Sequence, residues 1–356
     1  MCGDEGRGQE GIDAGLVNAR QRLRAALARG THALVSLNPA RDTVAEFARA
    51  VADGLRAPAP SIPSRFLYDS AGSALYEKIC ELPEYYLTRT ETALLARHAR
   101  DLHARTGPVN LVELGAGSSQ KAGLLLGAAL EAGHAPHYVA IDVCRHALRR
   151  GQLELARTRP GVVSVGLHGR FEQAVPLLSA VSPLMVLLLG STVGNCSGAE
   201  VANLLDELFR HLSPGDFFLL GLDLVKDGRV LRAAYDDASG TTASFTRNLF
   251  ARMNRELGAG IELAAVEHQA AWVPHRQRIE IHARFRSRQR IRVEPLGLTF
   301  TIESGERILT EVSRKYSLPC IPAWLGRFGF VVEEILRDDR DWYALVLLRR
   351  AAASKP

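Results

Sequence analysis

At 356 residues, 47% hydrophobic and 23% charged, the chain can bury a large core and has the composition of an ordinary globular protein. Its longest apolar run, Leu184 to Leu189 (LMVLLL), is far too short to cross a bilayer, and no N-terminal signal pattern is present. The formal charge of +5 raises the question of nucleic acid, while five widely spaced cysteines form neither a zinc pattern nor a disulfide framework and suit a reducing cytoplasm.

Residues 1 to 35 read as an extension, its first dozen residues without fixed structure and the rest an amphipathic helix carrying Leu16, Ala19, Leu23, Ala26 and Leu27. APAPSIPSRF, 58 to 67, is a proline-rich loop, followed by a short helix in SALYEKICEL. Thr88 with Glu91 three residues on reads as a capping box, and Leu94, Leu95, His98 and Leu102 give the helical stripe behind it. From residue 109 strands and helices alternate: VNLVELGAG, HYVAIDV, VVSVGLHGRF, PLMVLLLGSTVGN and DFFLLGLDLV are the strands. A second capping box, Ser197 with Glu200, opens the helix before the fifth. The alternation predicts parallel βαβ crossovers and a doubly wound α/β sheet.

The pattern breaks between about 225 and 315. A helical stretch (AAYDDASGTTASFTRNLFARMNRELG) precedes RQRIEIHARFRSRQRIR, in which seven arginines fall on even positions and Ile279, Ile281, Ala283, Phe285 and Ile291 on odd ones. Such alternation describes strands with one buried and one solvated face; exposed aromatics for base stacking are missing. GFVVEEILRDDRDWYALVLLRR then returns as a strand pair. The simplest architecture is a sheet domain with a large insertion between strands five and six, joined there by the segment before residue 90.

LVELGAGSSQK, 111 to 121, carries a glycine turn at the start of a helix, where backbone can approach a ligand. It lacks the third glycine of the dinucleotide fingerprint, Gln120 standing there. Asp142, at the end of the next strand, suits a carboxylate that accepts from both ribose hydroxyls of an adenosine-bearing cofactor. A nucleotide-dependent oxidoreductase and an S-adenosylmethionine methyltransferase both use such a carboxylate; the terminal hairpin favours the methyltransferase by fold analogy.

RFLYDSAGSALYEKICELPEYYLTRTE, LVELGAGSSQK, AIDV, LLGSTVGN, LLGLDLVKD, LRAAYDDASGTTASF, RIEIH and LTEVSRKYS follow one another in that order. This succession closely resembles the histidine-specific Nα-methyltransferases of the ergothioneine pathway, a family that includes fungal enzymes acting on tryptophan derivatives. The resemblance, from about residue 60 to 348, implies a Rossmann-like methyltransferase domain (90–224 with 316–350) and a smaller α+β substrate domain (36–89 with 225–315). It implies S-adenosylmethionine as the cofactor, held by Gly115, Gly117, Lys121 and Asp142, with Phe171 beside it and no metal. Lys121, just inside the helix after the glycine turn, would reach the methionine carboxylate.

For the substrate, the resemblance assigns Asn195 and Tyr235 to the amino-acid backbone, and Tyr68 and Tyr85 to closing over its amine and carboxylate. Tyr68 is placed nearest the reacting nitrogen. Glu311 and Ser313 face one cavity only if their stretch is extended; a carboxylate beside a hydroxyl then suits an imidazole better than an indole. Two positions depart from the family. Arg170 stands where an Asp usually accepts from the adenine amino group, and Ile281 where histidine-specific members carry Met. The expected function is N-methylation of a free amino acid, first L-histidine at its α-nitrogen up to histidine betaine, by a monomer without membrane or nucleic-acid partners. A histidine ring nitrogen or another aromatic amino acid is the alternative acceptor. An RNA-binding methyltransferase and a non-catalytic ligand-binding homologue are the alternatives of another class.

Overall fold

A computed structural model of the chain describes residues 5–37 and 43–351, the side chains of residues 5–16 excepted. Its strands, in chain order, are β1 (Ala33–Ser36), β2 (Asn110–Leu114), β3 (His137–Asp142), β4 (Val163–His168), β5 (Leu184–Leu188), β6 (Phe217–Asp223), β7 (Val266–Val273), β8 (Arg278–Phe285), β9 (Gln289–Val293), β10 (Leu298–Ile302), β11 (Arg307–Arg314), β12 (Phe330–Arg337) and β13 (Tyr343–Arg350).

Apolar strands such as β5, buried at every position, need cover on both faces, and the crossover helices supply it. Eight strands form one sheet in the order β1-β4-β3-β2-β5-β6-β13-β12. Pairing is parallel from β1 through β6, while β13 inserts antiparallel between β6 and β12. This is the doubly wound sheet with a terminal hairpin that the alternation predicts. Strand order reverses between β2 and β5, so their C-terminal turns flank the crevice where open α/β sheets bind ligands. The glycine turn follows β2 and the GSTVGN turn follows β5.

The N-terminal segment differs from expectation. It is helical over Glu5–Arg29, with Met1–Asp4, and therefore Cys2, outside the described residues. Ala19, Leu23, Ala26 and Leu27 are buried against the sheet; Leu16 lies outside the described side chains. Once that face is packed, each further residue adds a hydrogen bond at little cost, and the helix propagates past its glycines. Ala33–Ser36 then pairs with β4 as an edge strand, which makes the segment part of the main sheet rather than an appendage.

The insertion contributes a three-stranded antiparallel sheet, β11-β8-β7, and a β9-β10 ribbon. Along β8 every second residue (Ile279, Ile281, Ala283, Phe285) is buried, as the alternation requires. The arginines between are not a bare cationic face: Arg278 pairs with Glu280, Arg284 with Glu267 and Arg288 with Glu303. The expected helical stretch, 233–258, is helical only over Thr241–Leu257, and a separate helix, Gly228–Ala233, ends where it was to begin. Asp237 interrupts it by accepting from the Thr241 and Thr242 amides at 2.9 and 2.8 Å, an alternative to helical bonding that short polar side chains favour. Tyr235 therefore sits in a turn.

Two contacts bring the insertion over the crevice. The proline-rich loop bonds to β11 through Ile62 N to Leu309 O and Leu309 N to Pro60 O, both 2.9 Å; this delivers Tyr68. The turn Thr192–Asn195 packs so closely on β11 that a Cβ at Gly194 would lie 2.8 Å from the Arg314 carbonyl oxygen. Gly194→Ala must push that turn off β11. Chemical denaturation should show a loss of about 1–3 kcal/mol, whereas Gly198→Ala, whose Cβ would meet nothing within 4 Å, should leave stability unchanged.

Candidate active site

The cofactor end is built by the turn after β2. Gly115 and Gly117 have φ of +76° and +49°, values that glycine adopts without strain. The Gly115 and Ala116 amides bond to Ile141 O at 2.8 and 3.1 Å, and the Gly117 amide donates to Asp142 Oδ2 at 3.0 Å. The Cys144 amide donates to Oδ1 at 2.7 Å. Burial raises the Asp142 carboxyl above its ordinary value, and these amides counter it. With one amide on each oxygen, the carboxylate keeps acceptor capacity for two ribose hydroxyls. A Cβ at Gly115 would lie 3.4 Å from the Phe171 ring and 3.9 Å from the Thr192 methyl, so the glycine, the ring and the post-β5 turn gather round one space. These residues fit an adenosine-bearing group.

Arg170 opens the short helix Phe171–Ala174 and bonds its own amide to Gln173 Oε1 at 2.9 Å. Its side chain brings no acceptor. Its Nε is buried with no hydrogen-bond partner among the described residues, and the Glu172 carboxylate lies 3.8 Å from it. Arg65 lies near enough that, after burial, the Arg170 charge is the main influence lowering its basicity.

Glu91 overturns the expected capping box. The helix begins at Tyr86, not after Thr88, because the chain turns at Pro83 and one further turn of helix buries Tyr86 and Leu87. Glu91 then faces the core with no exposed surface. Its carboxylate accepts from the Gly190 amide at 2.9 and 2.8 Å and from the Tyr343 hydroxyl at 2.7 Å. It lies 2.5 Å from the Lys121 ammonium. Burial opposes the Lys121 charge, yet Glu91 outweighs it and holds the ammonium above its ordinary value. One Lys121 donor is thus committed to Glu91 beside the glycine turn.

The side chains expected at the substrate lie on the other side of the crevice. Tyr68 packs edge-on against Phe245 and Tyr76, with ring centroids 5.4 and 5.5 Å apart, and Tyr85 against Tyr235 at 5.9 Å. Glu311 and Ser313 are both on β11, whose register shifts between Leu309 and Glu311. Glu311 stands opposite Ile281 and Ser313 opposite Ile279, so all four share a face. Asn195 Nδ2 reaches Glu311 Oε1 at 3.4 Å, and the Tyr235 and Ser313 hydroxyls are 2.8 Å apart. Burial pushes the Glu311 carboxyl up to about 7, against the pull of Lys315. Burial, then Glu311, pushes the Tyr68 hydroxyl well above its usual range, and Asp142 adds to it. Tyr68 therefore feels both ends of the site.

Beneath this face lies a charged unit absent from the sequence reading. Asp223, at the end of β6, has no exposed surface and takes Lys315 at 2.7 Å, Lys226 at 2.5 Å and the Tyr86 hydroxyl at 2.8 Å. Lys315 also donates to the Tyr235 and Ser313 hydroxyls at 2.8 Å each. The signal for it was present: Glu311, Ser313 and Lys315 continue one period-two series. Among the described residues no cluster of metal-ligating side chains occurs and no helix is long and apolar enough to cross a membrane.

Residues 47–350 match the family described as histidine-specific methyltransferase, SAM-dependent. The chain is similar to the histidine N-alpha-methyltransferase of Mycolicibacterium smegmatis, 41% identical over 292 residues that cover 82% of this chain and 91% of that protein. The histidine N-alpha-methyltransferase of Mycobacterium tuberculosis is 38% identical over 281 residues, 79% and 88% of the two chains. Ergothioneine biosynthesis protein 1 of Neurospora crassa is 31% identical over 270 residues, 69% of this chain and 30% of that protein. A match over most of the chain shows that the chain belongs to the family of histidine-specific, SAM-dependent methyltransferases.

Proposed function

We propose that the protein methylates the α-nitrogen of free L-histidine, stepwise up to the trimethylated betaine. The observation that carries the choice of histidine is the pairing of Glu311 with Ser313 on one face of β11. An imidazole can give its N–H to the carboxylate and turn its other nitrogen to the hydroxyl, whereas an indole has a single donor. The names of the relatives point the same way. Residues 36–89 and 225–315 hold the amino acid in this reading, and 90–224 with 316–350 hold the cofactor.

When bound, S-adenosylmethionine supplies an electrophilic methyl group on a sulfonium. The chain's own residues must present a neutral amine to it, in line and shielded from water. Asn195 and Tyr235 grip the amino-acid backbone, and Tyr85, Tyr76 and Phe245 wall the cavity with apolar ring area. Tyr68, between the Asp142 end and the Glu311 end, orients the amine directly or through a water. Burial keeps its hydroxyl protonated at neutral pH, so it acts as a neutral hydrogen-bonding group and not as a phenolate base. The α-ammonium proton leaves to solvent, and the dry, ring-lined wall favours the uncharged amine. Ile281, across from Glu311, closes the pocket floor with a branched side chain.

The test of the whole reading is an acceptor screen by mass spectrometry, each free amino acid offered singly with S-adenosylmethionine. Mass gains of one, two and three methyls on the α-nitrogen of histidine alone are expected; ring-methylated histidine or a different acceptor overturns the assignment.

Glu311 also makes a prediction about pH. A carboxyl whose folded value, about 7, lies above the ordinary 4.5 favours the fold while protonated and works against it once ionised. That contribution is complete below about 4.5 and is lost as pH rises through about 7. Glu311→Gln should therefore melt higher than the parent at pH 8 and about equally at pH 4.5, while its KM for histidine rises. Equal melting at both pH values would show the carboxylate to be solvated and idle.

Arg170 predicts an effect on the cofactor side. Arg170→Asp supplies the acceptor missing from the adenine end and removes the repulsion with Arg65. Calorimetry should show S-adenosylhomocysteine bound roughly 3- to 10-fold more tightly, about one hydrogen bond's worth; unchanged affinity would place the adenine elsewhere.

A further inference from the structure

Lys315 touches two hydroxyls of the proposed substrate face, and its own hydrogen bonding is complete. An ammonium has three donors. Those of Lys315 go to Asp223 Oδ2 at 2.7 Å, Tyr235 Oη at 2.8 Å and Ser313 Oγ at 2.8 Å. The residue is fully buried, and its charge sits 4.6 Å from the centroid of the Tyr235 ring.

Hydrogen-bond accounting on the two hydroxyls then has a definite outcome. Each oxygen already accepts from Lys315. They share one bond, 2.8 Å long, so one hydroxyl proton is used between them. The other proton is left to point into the cavity. The pair therefore offers a ligand one O–H donor and one lone pair, the latter on the hydroxyl that donates within the pair. Without the ammonium behind them, three lone pairs instead of one would be open to a ligand.

The charges agree with this. Asp223 is a single carboxylate between two ammoniums, Lys315 and Lys226. Burial lowers Lys226 to about 8, with Asp223 resisting, while Asp223 outweighs burial to hold Lys315 above its ordinary value. At neutral pH both are charged, and the unit carries one positive charge in excess. Asn195 Nδ2, at 3.4 Å from Glu311, adds another donor on the same side of the cavity.

From this arrangement we infer that Lys315 is a positioning residue: it holds the pair with Ser313 donating to Tyr235, so that the Tyr235 hydroxyl turns its proton to the free carboxylate of the amino-acid substrate and Ser313 keeps a lone pair for the imidazole. It touches no substrate atom itself; it acts through Tyr235 and Ser313. An amide or a decarboxylated amine in place of the carboxylate loses the negative charge that the excess ammonium attracts. The inference rests on the proposed amino-acid site, and it adds to that site a residue that sets which ligands are admitted.

Lys315→Met is a mild way to remove the ammonium. Asp223 keeps Lys226 and the Tyr86 hydroxyl, and Tyr235 and Ser313 keep each other, so no buried charge is left unpaired. The experiment is calorimetry of L-histidine and of histidinamide, each with S-adenosylhomocysteine present, on the parent and on Lys315→Met and Lys315→Arg. The parent should bind histidine at least about 10-fold more tightly than histidinamide, a gap worth one full charge-assisted contact. In Lys315→Met that ratio should fall toward one through loss of histidine affinity alone. S-adenosylhomocysteine affinity should stay within about 2-fold, and Lys315→Arg should restore part of the ratio. In a Tyr235→Phe, Ser313→Ala background, Lys315→Met should have little further effect, since the hydroxyls through which it acts are gone.

Equal loss of both ligands in Lys315→Met, together with loss of S-adenosylhomocysteine binding, would show a merely structural lysine and overturn the inference. So would an unchanged ratio. A parent that binds no histidine brings down the proposed substrate itself, and the inference with it; a parent that binds histidine and histidinamide equally brings down the inference alone.

Discussion

Asp223 is the constraint on which the site depends. A carboxylate without solvent exposure costs several kcal/mol unless it is paired and fully hydrogen-bonded. Its partners come from separate parts of the chain: Tyr86 from the start of a helix, Lys226 from the segment after β6, and Lys315 from beyond β11. Satisfying one buried charge thus dictates where the insertion returns to the main sheet. Backbone bonds follow the same line, with Tyr316 N on Asp223 O at 2.9 Å and Val225 N on Tyr316 O at 3.0 Å. The face of β11 that carries Glu311 and Ser313 is registered to β6 by this junction, and β6 belongs to the rigid parallel sheet.

Glu91 performs a parallel service on the cofactor side. It ties the glycine-turn helix through Lys121, the post-β5 turn through Gly190, and the terminal hairpin through Tyr343. Room for it exists because residue 221 on β6 is glycine; a Cβ there would overlap the carboxylate. The turn that Glu91 holds at Gly190 runs on to Asn195, so a charge lodged behind the cofactor end also sets the position of a residue at the substrate end. Replacing a carboxylate together with its ammonium partners by packed apolar side chains need not cost stability, since buried ion pairs seldom stabilise a fold relative to such a core. Their value here is positional.

Much of this was legible in the sequence because it follows from short-range periodicity. The alternation from residue 109 identifies the parallel sheet, the apolar run at 184–189 its centre, and the odd-even pattern at 276–292 the buried and solvated faces of β8. The glycine turn and Asp142 come from local steric and chemical demands. What escaped depends on tertiary context. Thr88 and Glu91 have the spacing of a capping box, but a helix start is fixed by where the chain can turn and bury its next residues, and Tyr86 and Leu87 moved it upstream. Ala33–Ser36 is too short for alternation to speak, and only the free edge of β4 makes it a strand. Asp223 and Lys226 read as an ordinary polar end to a strand. That Lys315 faces the same partner was hinted at by its place two residues after Ser313, but the partner itself is almost a hundred residues away in sequence.

The buried carboxylates differ in how completely they are satisfied, and this separates positioning groups from a group that awaits a ligand. Asp223 meets two ammoniums and a phenol; Glu91 meets an ammonium, a phenol and an amide. Glu311, on the same β11 face, is approached by the Asn195 amide at a long 3.4 Å, and its carboxyl is pushed up to about 7. A fold that provides so fully for Asp223 could have done so for Glu311, with Lys315 only four residues along the chain. Instead Lys315 spends its three donors on Asp223, Tyr235 and Ser313, and acts on Glu311 only as a charge at a distance. In the proposed reading the carboxylate left short of donors is the one that meets the amino acid, and a ligand N–H completes it. An imidazole brings that N–H together with a second ring nitrogen for the Ser313 hydroxyl alongside, which is what the proposed substrate supplies.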